Sequence, residues 1–319
     1  MSKIIGLLVL IALPTVVMAQ ATKTEKKETT TPATQEVKVE QKKEDEADQV
    51  ITNRRLRADA GSLSKWSAAM YFNYQGGSLA NPTQPERPNI TNGKDALTLQ
   101  NLTGELGVRY RLTALDSITA STGFFMTTPF HSSIDTDNAA LKKSFDDNSQ
   151  ELNFADPFLK YTHLDRIWGM QSVTTLKPTW ITNNQQTDLG YKASYFLSQV
   201  FMKDWGTTGF SYGMAFQGIW YDFSEHNKNT SRNVLGLYPA AEYVINDTFN
   251  LRTVFGWQVY EQYRTQENGT WTKRKVYQSV GLGISLTRDV FLYPNIQFIP
   301  SDIRLDRTNI AISANVNVF

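Results

Sequence analysis

Eleven charged residues carry most of the chemistry this sequence offers once its alternating segments are phased. They are Glu105, Arg109, Arg111, Asp156, Lys160, Lys177, Lys192, Glu242, Arg252, Lys273 and Lys275. All take the parity opposite to the apolar side chains around them. Eight are bases and three are acids, although the whole chain carries a formal charge of only +1. A confined cationic lining concentrates field lines in a narrow, low-dielectric passage and lowers the entry barrier for anions. The predicted cationic lining is Arg109, Arg111, Lys160, Lys177, Lys192 and Arg252, with Glu105 and Glu242 as acids on the same face. The same charges can instead brace a filled interior, with Glu105 paired to Arg109 and Glu242 to Arg252.

A second candidate is hydrolytic. His131 precedes Ser132 and Ser133, and His131 and Ser133 share one side of an extended backbone, where an imidazole could take a hydroxyl proton. Asn138 and Asn148 lie nearby in sequence. The segment reads as loop, however, His163 sits near a turn, and His226 lies in an Asn-rich loop, so no residue is assigned a catalytic role. No His, Asp and Glu cluster has metal-ligand spacing. Asp135, Asp137, Asp146 and Asp147 read as a solvated loop rather than a calcium site. Cysteine is absent, which excludes disulfides, thiolate metal sites and cysteine nucleophiles. There is no Gly-rich phosphate loop between strand and helix, and basic residues are not interleaved for nucleic acid. No cofactor is implied.

These residues are positioned by a ladder of short alternating segments from Ser64 to Phe319. Val276, Val280, Leu282, Ile284 and Leu286 share one face of a stretch whose other face is Tyr277, Ser279, Gly281, Gly283 and Ser285. Side chains alternate faces with period two in a strand. Strands are expected at 64–75, 98–112, 117–130, 153–163, 170–182, 189–202, 207–223, 232–245, 248–263, 270–287, 290–300 and 307–319. Tight polar turns at 113–116, 165–169, 203–206, 246–247 and 288–289 alternate with longer connections at 76–96, 131–152, 224–231 and 264–269. No helical segment is available to cover twelve apolar faces. A closed, all-β, antiparallel up-and-down transmembrane barrel of about twelve strands satisfies them all, with lipid outside and a polar lumen inside. Short turns on one side and longer loops on the other place both termini in the periplasm. Aromatics near strand ends, among them Trp66, Tyr74, Trp180, Trp220, Tyr243, Trp257 and Trp271, suit two interfacial belts. An apolar content of 40% is no obstacle, because only half of each strand faces lipid.

Residues 1–19 read as a signal peptide: Lys3, an apolar run from Ile4 to Leu13, and Val17-Met18-Ala19 before Gln20. Residues 20–60 are rich in Lys, Glu, Thr, Gln and Asp and are expected to be a disordered, charged periplasmic tail. Alternating charge could support a transient helix from about Val37 to Arg57. Contact with the cell wall or a periplasmic partner, or partial plugging of the lumen, are the specific roles open to it. The barrel is expected over 61–319.

In this architecture the chain resembles bacterial outer-membrane barrel proteins, especially the twelve-stranded narrow-channel porins. The resemblance implies an integral outer-membrane location, contact with outer-membrane lipid, and recognition of the last strand by the barrel-assembly machinery through a terminal aromatic, here Phe319. Phe319 is out of phase with Ile312, Ala314, Val316 and Val318, which take the apolar parity. The implied function is passive diffusion of small anionic solutes, with no nucleic-acid partner. Two alternatives stand beside it. One is a non-conducting surface adhesin or structural barrel with a periplasmic tether, suggested by the long first two loops. The other is an outer-membrane phospholipase, similar in strand number and in its His–Ser pair with an Asn orienter, although that family's neighbouring Asn-Gly is missing here.

Overall fold

The computed structural model describes residues 45–90, 97–148, 151–224, 230–265 and 270–319. The expected signal segment, the first part of the charged tail and His226 lie outside them. Two short helices come first, α1 (Glu46–Val50) and α2 (Arg54–Ala60). Twelve barrel strands follow: β1 (Trp66–Ser78), β2 (Asn101–Arg111), β3 (Asp116–Thr127), β4 (Asn153–Ile167), β5 (Met170–Trp180), β6 (Tyr191–Asp204), β7 (Phe210–Phe223), β8 (Ser231–Val244), β9 (Phe249–Gly256, continuing as Gln258–Tyr263), β10 (Thr272–Lys273, continuing as Tyr277–Ser285), β11 (Val290–Phe298) and β12 (Asn309–Val318). Each pairs antiparallel with the next, and β12 returns to β1 with Ala68 opposite Val318 and Tyr74 opposite Ile312. The ring is closed, so lipid meets no unpaired strand edge among the described strands.

The interior and exterior reverse the order of a water-soluble fold. The barrel's buried side chains include Ser67, Ser117, Thr119, Ser198, Ser211, Glu242 and Arg252, whereas Leu197, Phe216, Leu235 and Leu251 are exposed. Trp66, Phe210 and Tyr243 ring the turn end, and Trp180, Tyr195 and Trp220 lie toward the loop end, all exposed on the outer wall. Such amphipathic rings mark the two interfaces of a bilayer-spanning barrel.

Turn chemistry sets the register. The expected five-residue turn at 165–169 is a two-residue hairpin, with Ile167 opposite Met170. Trp168 and Gly169 both have positive φ, 52° and 74°, the backbone that matches strand twist in a tight hairpin. At Trp257 one extra residue is inserted: Ala240 opposes Val254, but Leu237 opposes Gln258. This bulge reverses the parity beyond it, so Val259, which strict alternation from Leu251 would turn to lipid, faces inward and is buried. The chain end is also explained. The strand stops at Val318, and Phe319 adopts φ 96° with its carbonyl oxygen accepting from the Ser62 hydroxyl. Phe319 therefore leaves the strand's parity and projects exposed at the rim.

The charged segment 20–60 is not a solvated tail in its described part. Asp45 caps α1 and Asn53 caps α2, each through its side chain. Ala47, Ile51, Leu56 and Ala60 pack on Leu164, Val173 and Met202 of the barrel's inner wall. Charge and low aromatic content suggested solvation, but these few aliphatic residues find their burial inside the ring.

On the loop side, a hairpin (Glu86–Pro88 with Leu97–Leu99) and the helix α3 (Ala139–Asn148) share a small core of Leu99, Leu141 and Phe145. Replacing Leu197 by Arg should cost about 2–4 kcal/mol of stability in lipid. The lumen-facing change Ser198→Ala should stay within about 1 kcal/mol. Urea titrations of folding into phospholipid vesicles measure both, and equal losses at the two positions would contradict the assigned faces.

Candidate functional site: the barrel lumen

Two adjoining spaces lie in the lumen. A chamber of about 530 Å³ is lined by Tyr71, Lys160, Tyr238, Arg252, Tyr277 and Tyr293 among others. A second, of about 270 Å³, is lined by Gly104, Gly123, Asp156, Phe158, Gln186 and Tyr221 among others. Glu105, Lys177 and Phe196 line both, so these three side chains stand at the boundary between them. Strand parity puts them there: Gly123, opposite Glu105 on β3, carries no bulk beside it, and Ser194 and Ser198 flank Phe196 on the inner face of β6. A bulge in β4 contributes too. Ser121 opposes Phe158, but Gly123 opposes Ala155, and Asp156 has φ 58°. The Asp156 carboxylate fixes this kink by accepting from the backbone N–H groups of Thr182 (2.8 Å) and Asn183 (3.0 Å).

At the passage, Glu105 accepts from two ammonium groups, Lys177 at 2.9 Å and Lys160 at 3.3 Å. The expected Glu105–Arg109 pair is absent from this arrangement: Arg109 lies two inward positions nearer the turn end, where it donates to the Ser62 carbonyl at 3.1 Å. Gly61, with φ 88°, makes room for it, since a Cβ there would overlap the Arg109 guanidinium. The Lys177 ammonium also sits 4.8 Å from the Phe158 ring centre and 5.5 Å from that of Phe196, within range of cation–π attraction.

The second expected pair is present. Arg252 and Glu242 are bonded in a fully buried contact, and Glu242 accepts as well from Asn53 (2.8 Å) and Asn250 (3.0 Å). Arg111 is bidentate on Asp45, at 2.5 and 3.0 Å. This bond to the guanidinium holds the Asp45 carboxyl below the usual carboxylate range. Lys192 is exposed at an irregularity between Tyr191 and Ala193 and lines none of the chambers described here. Of the six predicted cations, then, Lys160, Lys177 and Arg252 line the larger chamber, Arg109 and Arg111 meet the N-terminal segment, Arg109 also lining a small cavity with Glu105 and Lys160, and Lys192 does neither.

The lining of the larger chamber remains positive after this pairing. Four bases (Arg55, Lys160, Lys177, Arg252) face two acids (Asp59, Glu105), with Glu242 a third acid bonded to Arg252 from behind. Four against three leaves one positive charge, and it resides where one carboxylate serves two ammoniums. Arg55 and Asp59, which β periodicity could not reach, arrive on α2 and pair at 3.5 Å.

The hydrolytic candidates lie on the loop side of the barrel, after β3. His131 is in the loop after β3, Ser133 is exposed, and Asn138 is engaged in capping α3, its side-chain oxygen accepting from Ala140 and Leu141. The Asn148 side chain lies outside the described residues. Asp135, Asp137, Asp146 and Asp147 are exposed. His163 sits beside Asp116, 2.8 Å away, near the turn end.

No family model matches the chain, and no curated protein does. Among solved structures it is similar to an outer membrane channel from Pseudomonas putida F1, at 12% identity over 81% of this chain and 98% of that one, with a TM-score of 0.50. It is also similar to the NanC porin, at 12% identity over 79% and 98%, with a TM-score of 0.42. At such identities the likeness is one of fold. The architecture is that of outer-membrane barrels.

Removing one member of the buried pair by Glu242→Gln should cost about 3–5 kcal/mol, because Arg252 is left desolvated. Adding Arg252→Met should recover much of it. Urea unfolding of the single and double variants decides, and a double variant weaker than the single would refute a desolvated charge as the cause.

Proposed function

We propose that this protein is an integral outer-membrane channel for passive diffusion of small anionic solutes. The observation that carries the reading is the junction of the two chambers, where Glu105 is shared by Lys160 and Lys177. One uncompensated positive charge in a narrow, low-dielectric passage lowers the energy of an anion and raises that of a cation. Small inward residues such as Gly123, Ser194 and Ser198 leave the ring hollow where bulky ones would fill it. The outer apolar wall supports the location, and the short turns support periplasmic termini. Phe319, exposed at the turn-end rim, is free to meet the assembly machinery.

A purified protein in planar bilayers should give discrete, salt-dependent current steps with a reversal potential favouring anions across a KCl gradient. Lys160→Gln combined with Lys177→Gln leaves Glu105 unpaired and should reverse that preference toward cations. An unchanged reversal potential in the double variant would remove the junction from the selectivity argument. Fatty-acid release from lipid without conductance would replace the channel by an enzyme, and binding to cell-wall fragments by a non-conducting protein would favour an anchor.

A further inference from the structure

The larger chamber does not run freely to the turn end of the barrel. Leu56, Arg55 and Asp59 of α2 form part of its lining, and the rest of the segment from Asp45 to Gly61 lies below them. Its attachments go round the ring. Asp45 binds Arg111 at the end of β2, and Asp48 binds Arg288 in the turn between β10 and β11, at 2.8 Å. The Val50 carbonyl accepts from Arg166 of β4 (2.9 Å), and the backbone N–H groups of Thr52 and Asn53 both donate to Gln171 of β5 (2.8 and 2.7 Å). Arg54 reaches Asp247 in the turn after β8 at 3.0 Å. On β12, Asn315 donates to Asp59 (2.5 Å) and Asn317 to the Ala58 carbonyl (2.9 Å).

We propose that residues 45–61 are a displaceable plug, and that the barrel's turn-end mouth opens when this segment leaves. The inference rests on the channel reading above and adds its gate. Two features make the seal removable rather than part of the wall. First, the segment contributes no strand to the ring, so its departure breaks no ladder hydrogen bond and leaves the barrel closed on itself. Second, α1 and α2 have five and seven residues, too short to be stable helices alone. Their order depends on a small apolar contact (Ile51 and Leu56 against Leu164, Val173 and Met202) and on charged groups at the rim.

The charge pattern gives the plug a second meaning. Asp45 and Asp48 present carboxylates to Arg111 and Arg288, and Arg109 stands beside them with no acid bonded to it in the described contacts. With the segment gone, Arg109 and Arg111 would face an open mouth with no carboxylate bonded to them, while Arg288 keeps Asp289 at 2.7 Å. The two carboxylates occupy places that a permeating anion would use, so plug and anionic solute compete for the same cations.

The chain has no cysteine, which makes a reversible lock clean. Asp59→Cys and Asn315→Cys, whose native side chains touch, can be joined by a short thiol-cleavable cross-linker in the full-length protein. In planar bilayers the unmodified chain should flicker from a mostly closed state. The cross-linked variant should stay closed, and reductant should restore its flicker. Arg111→Gln with Arg288→Gln should raise the open fraction about tenfold by removing two charged attachments, and a chain lacking residues 20–60 should stay open. Conductance that is unchanged by the cross-link, or equal in the full-length and shortened chains, overturns the plug. Silence of every variant, including the cross-linked one after reductant and the shortened one, overturns the channel reading itself.

Discussion

The pairing of β12 with β1 is the constraint on which everything else depends. In hydrocarbon there is no water to satisfy a free N–H or C=O, so a sheet can span only if it has no edge. Ala68 opposite Val318 closes the circle, and closure converts twelve amphipathic ribbons into a wall with one greasy and one wet surface. Each consequence follows from that wall. Leu197 belongs outside because Ser198 is inside, and Arg252 can be buried because Glu242 projects into the same interior from the neighbouring strand.

Within the wall, the charged residues divide into three groups by depth. Near the turn end, Arg109, Arg111 and Arg288 meet an N-terminal segment that brings its own carboxylates. Deeper, Arg252 and Glu242 neutralise each other with help from Asn53 and Asn250. At the junction of the chambers, Glu105 is outnumbered by Lys160 and Lys177. The last group is the one where a single carboxylate serves two ammoniums beside open space, and the proposed selectivity rests on it rather than on the whole basic set. Buried pairs of the second kind orient a lumen rather than attract a solute.

Strand number, closure and inward parity were legible from the sequence because all three follow from period-two alternation and turn length. Glu105, Lys160, Lys177, Glu242 and Arg252 were found by parity alone. Partners were not. Glu105 was matched with Arg109, its near neighbour in sequence, but the true partners come from β4 and β5, across a register set partly by the Asp156 bulge. Strict alternation from Leu251 would send Val259 to lipid, but a one-residue insertion at Trp257 flips every side chain after it, and nothing in a single sequence marks that spot beyond Pro239 on the facing strand. The helices at 46–60 were the hardest to place. Their composition is that of a solvated segment, and only the Asx caps Asp45 and Asn53, with Ile51 and Leu56 behind them, hinted at an ordered and partly buried element.

A hollow lumen requires that one face of each strand meets lipid and the other meets water. Single cysteines placed in turn along β6, at 195, 197 and 199 and at 196, 198 and 200, measure it directly in reconstituted vesicles. A fluorophore at the odd positions should be quenched by brominated lipid chains, and the even positions should react with a small water-soluble thiol reagent instead. Loss of that alternation, with both sets shielded from lipid and water alike, would mean that the apolar wall is a protein core and that the lumen described here does not exist.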